Sequence, residues 1–232
     1  MDGNENYRVL NPDMLIATLS RLDQRIAERF AERGISAVCK QLLDVAPAVA
    51  QSATRLSKPN LLLRALAAFV IVAGLGLVGW LVLILKIDTV DTEAFRFFQG
   101  LEAFMNVLIL SAAGIWFVLS LETRFKRSIA LRRLHELRSI AHVIDTHQLT
   151  KTPVSVLEGG TRTQSSPERT LSPFELRRYL DYCSEMLSLT GKLAALYLAH
   201  SRDPVVIQSV NEVEELTSDL SRKIWQKISV MS

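Results

Sequence analysis

Leu61 to Leu85, LLLRALAAFVIVAGLGLVGWLVLIL, is the stretch that decides how this chain is organised. Arg64 is its one charge, and the 21 residues from Ala65 to Leu85 hold none. A helix over this stretch rises about 37 Å, more than the roughly 30 Å of hydrocarbon in a bilayer. A second uncharged run, Ala103–Leu121 (AFMNVLILSAAGIWFVLSL), follows after a short gap. Counted from Leu101 it also reaches across, at about 31 Å. The pattern predicts an all-α protein built on a transmembrane hairpin, with spans over 61–85 and 101–121 and a connection over 86–100.

Orientation follows from the charges just outside these runs. Arg55, Lys58 and Arg64 precede or open the first, and Arg124, Lys126, Arg127, Arg132 and Arg133 follow the second. The connection carries Lys86 and Arg96 against Asp88, Asp91 and Glu93. Positive residues stay on the cytoplasmic side, so both termini are expected in the cytoplasm and the connection outside the plasma (inner) membrane. These flanking cations would then lie against lipid headgroups, Arg64 by snorkelling. Trp80 falls near the outer interface, Trp116 near the inner one, and Phe95, Phe97 and Phe98 beside the outer leaflet.

Polar side chains are few within the spans. Glu102, Asn106 and Ser111 are the candidates, either for hydrogen bonds between helices or for lining a pore. Ala73, Gly76 and Gly79 in the first span, and Ala112, Ala113 and Gly114 in the second, permit close helix approach. The sequence has no literal GxxxG.

Before the hairpin, residues 1–60 read as an amphipathic helical arm. Asn11-Pro12 is an N-cap followed by proline at the first helical position. Leu15, Leu19, Leu22, Ile26 and Phe30 form one apolar stripe, and Gly34 is the expected C′ stop. A second helix has Val38, Leu42, Val45, Val49, Ala53 and Leu56 as its stripe, with Pro47 expected to kink or interrupt it. Signs of charge alternate on the polar faces, which suits packing within the chain better than adsorption to an anionic surface.

After the hairpin, no Gly or Pro occurs between Ile115 and Lys151, so the second span should continue as one helix over 122–149. Ala130, Leu134, Leu137, Ala141 and Ile144 mark its apolar face. His135, His142 and His147 lie here, but their spacing sets no two on one face close enough for a single ion. Residues 150–171 read as a flexible linker. Ser172-Pro-Phe-Glu175 is a capping box, and it opens a C-terminal helical hairpin over 172–232. Leu176, Tyr179, Leu180, Cys183, Leu187, Thr190, Ala194 and Tyr197 line its first helix; Val206, Val210, Val213, Leu216, Leu220, Ile224 and Ile228 line its second. Asp203-Pro204 divides the two. Together with the arm and the 122–149 helix they would complete a cytoplasmic bundle.

The chemistry of known sites is missing from the sequence. It has no phosphate-cradling lysine loop, no GxSxG and no Cys/His ligand spacing, so no catalytic, cofactor or metal site is expected. A net charge of +3 argues against nucleic acid as a partner. Cys39 and Cys183 lie on apolar stripes, where a thiol serves as small core filler. No charged region feeds an apolar one at the N-terminus, so no cleaved signal peptide is expected.

The runs RSIAHVIDTHQLTK (138–151) and LSPFELRRYLDYCSEMLSLTGKLAALYLA (171–199) resemble segments of uncharacterised bacterial two-pass membrane proteins. The resemblance covers about the second half of the chain and implies a membrane location but no activity. The expectation is a non-enzymatic membrane protein that scaffolds or regulates, through its cytoplasmic helices, by self-association or by binding a protein partner. The alternative is an oligomeric ion channel or membrane-permeabilising effector.

Overall fold

Six helices and no strand make up the described residues of the computed structural model: 9–31, 33–58, 61–84, 93–151, 164 and 171–231. They are α1 (Pro12–Phe30), α2 (Gly34–Leu56), α3 (Leu61–Ile84), α4 (Glu93–Leu149), α5 (Pro173–Ala195) and α6 (Pro204–Ser229). Most of the linker expected over 150–171, and part of the connection over 86–100, lie outside the described residues. The chain divides into two units, one of Met1–Ser57 with Arg127–Ser232 and one of Lys58–Lys126.

Local sequence accounts for the helix starts in the first unit. The Asn11 side chain accepts from the Asp13 N–H at 2.9 Å and the Met14 N–H at 3.4 Å, with Pro12 pre-set for the first turn. Ser172 and Glu175 close their capping box: the Glu175 N–H donates to Ser172 Oγ at 3.2 Å, and the Ser172 N–H donates to Glu175 Oε2 at 2.8 Å. These bonds from Ser172 hold the exposed Glu175 carboxyl below its usual range. Asp203 accepts from the Val205 N–H at 2.9 Å and so starts α6 at Pro204.

One local expectation is corrected, and a second is narrowed to its milder form, since Pro47 does not interrupt its helix. Gly34 is the first residue of α2, not the stop of α1, which ends at Phe30. A Cβ on Gly34 would sit 2.3 Å from the His147 ring, so the glycine serves a close approach to α4. Helix α2 also continues through Pro47. Pro47 forfeits one backbone hydrogen bond, while Ala46, Val49, Ala50 and Ala53 around it are buried and hold the segment in place.

Burial follows the stripes. Leu15, Leu19, Leu22, Ile26 and Phe30 of α1, Val38, Leu42 and Val49 of α2, and Ala130, Leu134, Leu137, Ala141 and Ile144 of α4 join one core with the inner faces of α5 and α6. Helix α1 packs on α2, both pack on α5, and α5 packs on α6. Phe30 meets Tyr179 and Tyr182 edge-on at 5.6 and 6.1 Å between centroids, the arrangement that aromatic quadrupoles favour. At Gly191 an added Cβ would come within 2.8 Å of Thr217 Oγ1, so α5 and α6 approach closely there.

Three polar ties set the direction of α4 against α6. Arg127 Nε donates to Asp203 at 2.8 Å, Arg138 pairs with Glu212 at 3.3 Å, and Lys227 Nζ donates to the Gln148 carbonyl at 3.0 Å. The residue numbers rise together, so residues 127–149 of α4 run parallel to α6. The last tie also places a cation on the C-terminal carbonyls of α4, where the helix dipole favours it. Burial pushes the Lys227 pKa down, with Asp145 opposing. Ser52 of α2 and Tyr197, just past α5, share a short buried hydrogen bond. Among the described residues no buried side-chain nitrogen or oxygen lacks a partner.

The second unit holds α3 and residues 93–126 of α4. Helix α4 begins at Glu93, eight residues inside the stretch expected as connection, because EAFRFFQ holds no helix breaker before Gly100. It continues unbroken to Leu149, as the lack of Gly and Pro after Ile115 predicts. Among the described residues one helix, α4, is long and apolar enough to cross a membrane: from Gly100 it holds an 18-residue window of mean hydropathy 2.1, none of it buried. The apolar run described in α3, Arg64–Gly76, is shorter.

Candidate functional site

The three polar residues singled out in the second apolar run do not converge. Ser111 lines an apolar cavity of about 460 Å³ with Leu66, Val70 and Gly74 of α3 and Gly114 and Phe117 of α4. Glu102 and Asn106 are exposed and line no part of that cavity. At 100° per residue, Asn106 and Ser111 point about 140° apart, whereas Glu102 and Asn106 lie one turn apart on one face. The cavity wall is therefore hydrocarbon with a single hydroxyl, and the two stronger polar groups face away from it. Trp116 is 73% exposed and Trp80 57%, and Phe98 is exposed as well.

At the other end of the same unit a charged clasp forms around Glu122, a residue the sequence reading passed over. Its side chain is 8% exposed and forms ion pairs with Lys126 Nζ at 2.8 Å and with Arg64 Nε at 3.6 Å. Lys126 Nζ also donates to the Lys58 carbonyl at 2.8 Å. Four residues separate Glu122 from Lys126 on one helix, the spacing at which an acid and a base meet. That spacing was the available signal. A buried carboxylate is tolerable because two cations share it.

The basic residues expected at the membrane surface divide by role. Arg127 is drawn into its pair with Asp203, and Arg133 pairs with Glu136 at 2.8 Å. Arg64 and Lys126 belong to the clasp. Arg55, Lys58, Arg124 and Arg132 are exposed.

Among the described residues of the first unit, two further spaces are open to the surface. One cleft of about 260 Å³ is lined by Arg33, Thr146, His147, Thr150, Lys151 and Tyr179. A groove of about 520 Å³ runs between α5 and α6, past Ser184, Ser188, Lys192, Glu214, Ser221 and Trp225. Trp225 is 59% exposed at its end. Neither space holds a cysteine, and no group of three His, Cys, Asp or Glu gathers among the described residues. His135 and His142 are exposed, while His147 packs against Gly34.

Cys39 and Cys183 are buried free thiols. Burial, with Asp23 adding to it, pushes Cys39 up to about 12, and burial pushes Cys183 up to about 12. Both thiols stay protonated at neutral pH, the opposite of what a nucleophile or metal ligand requires. Burial also raises the Tyr179 and Tyr197 hydroxyls above their ordinary value.

No family model, curated protein or solved structure matches the chain.

Proposed function

We propose that this is a two-pass protein of the inner (plasma) membrane, non-enzymatic, whose cytoplasmic helical bundle acts as a scaffold or regulator through self-association or partner binding. One observation carries the reading. The bundle unit is assembled from chain on both sides of the apolar segment, Met1–Ser57 and Arg127–Ser232. If α4 crosses a bilayer, the arm cannot lie on the far side and still share a core with residues 130–144. The chain must cross an even number of times between residues 57 and 127, and α3 supplies the return. A 24-residue α3 rises about 36 Å, long enough for that crossing.

Two further features agree. Lys58 with Lys126, and Arg64 with Glu122, tie the start of α3 to α4 in opposite chain directions, as an antiparallel pair requires. In sequence, the exposed cations Arg55, Lys58, Arg124 and Arg132 flank the two apolar runs on the sides away from their connection, which favours cytoplasmic termini. For partner binding, the α5–α6 groove with its exposed Trp225 is the natural surface, since tryptophan in a groove concentrates contact energy.

Replacing residues 58–126 with a short Gly/Ser linker tests the proposal. The shortened chain is expected to be soluble, to keep the helical bundle, and to associate with itself in sedimentation in a Trp225-dependent way. A folded, strictly monomeric and partnerless product would count against the scaffold, and an insoluble, unfolded one against an independent bundle.

A further inference from the structure

Glu102, Asn106, Ile109, Ala113, Trp116 and Ser120 recur along α4 at intervals of four, three, four, three and four. That alternation is the seam of a left-handed coiled coil. The first five are exposed, and Ser120 is half-buried. Residues that line the cavity shared with α3, such as Ser111, Gly114 and Val118, centre about a third of a turn away around the helix. The seam is thus a second face, one that α3 leaves uncovered.

Asn106 decides what should cover it. Its carboxamide has two donors and an acceptor, and among the described residues it has no hydrogen-bond partner. Lipid tails supply none. Between Ala65 and Leu85, α3 carries no polar side chain except the Trp80 indole, which donates but cannot accept. An amide left unpaired in hydrocarbon is costly. Copies inserted with one topology hold Asn106 at one depth, and a carboxamide is complementary to itself. We propose that α4 pairs along this seam, in parallel, with α4 of a second copy of this chain, so that Asn106 meets Asn106.

In the pair, each Asn106 amide donates to the carbonyl of its counterpart. The remaining N–H lies one turn from Glu102, whose carboxylate is an acceptor. Ala113 is small enough for the two helices to approach, and the polar position fixes the register of the seam. The inference rests on the membrane reading above and adds to it an interface separate from the cytoplasmic groove.

Full-length chain in liposomes, with single cysteines introduced along α4, supplies the test. The native thiols are buried in the bundle, so unsubstituted chain is the control. Oxidative cross-linking is expected to be strong for Ile109→Cys and Ala113→Cys and weak for Leu108→Cys and Ala112→Cys. Asn106→Leu is expected to weaken self-association in the bilayer about three- to thirtyfold, measured by energy transfer between labelled copies, and Asn106→Gln to restore most of it. Cross-linking without this periodicity, or association unchanged by Asn106→Leu, would overturn the pairing while leaving the membrane reading intact. Release of the chain from liposomes by alkaline carbonate would overturn both.

Discussion

Leu134→Ala is expected to destabilise the bundle unit by about 2–5 kcal/mol, the range for removing a large apolar side chain from a site that cannot collapse around the cavity. Leu134 is fully buried and stands between Ala130, Leu137 and Ala141 on the inner face of α4. Small neighbours on its own helix cannot spread to fill the space. A domain of this size has about 5–15 kcal/mol of stability in all, so the loss is a large fraction of it. Denaturant titration of the full chain in detergent, followed by near-ultraviolet circular dichroism, measures the change. His135→Ala, one residue along and exposed, is expected to change stability by less than about 0.5 kcal/mol. If the two variants behave alike, residues 127–149 do not form the core of the bundle.

The second large effect is alkaline unfolding. Cys39 and Cys183 have ordinary values near 9 and are pushed up to about 12 in the fold, and the Tyr179 and Tyr197 hydroxyls rise from 10. Each of these groups is held neutral by burial, whereas the unfolded chain ionises at its ordinary value. Their stabilising contribution is therefore complete below about pH 9 and is lost as pH rises toward 12, together several kcal/mol. Lys227 works in the opposite sense: its value is lowered from 10.5, so its contribution grows as pH rises toward that point. One lysine set against two thiols and two phenols leaves the net slope downward. The melting temperature of the bundle is expected to fall from about pH 9, and in the Cys39→Ala/Cys183→Ala variant from about pH 10. An identical onset in both proteins would mean that the thiols are not buried in the folded state.

Helix content, helix starts and the buried stripes were legible in the sequence because they depend on spacing. Leu15, Leu19, Leu22, Ile26 and Phe30 repeat at helical intervals and are buried together. Asn11, Ser172 and Asp203 cap because their oxygens reach the next turn. What was not legible depends on neighbours distant in the chain. Gly34 looks like a stop by its type, yet it is the contact of His147, 113 residues later. Arg127 counts as a headgroup cation by position, but the fold supplies it with Asp203, 76 residues later.

The candidate site shows the same division. Glu102, Asn106 and Ser111 stand out by composition, and the angles of one helix already separate Ser111 from the other two. The apolar wall of the Ser111 cavity, in contrast, depends on how α3 is placed. Glu122 was hidden by its setting, a single acid at the start of a basic run. Its spacing from Lys126 was visible, but its closeness to Arg64 required the fold.

The central claim is that the chain crosses the membrane twice and returns to the side from which it started. Cysteine labelling at three exposed positions tests it most directly, with Gln24→Cys in α1, Gly100→Cys in α4 and Gln164→Cys after α4, and an impermeant maleimide applied to intact spheroplasts and then to lysed ones. The account predicts that Gly100→Cys is labelled from outside, while Gln24→Cys and Gln164→Cys react only after lysis. Labelling of Gln24→Cys from outside while Gln164→Cys stays protected would mean a single crossing and would contradict it.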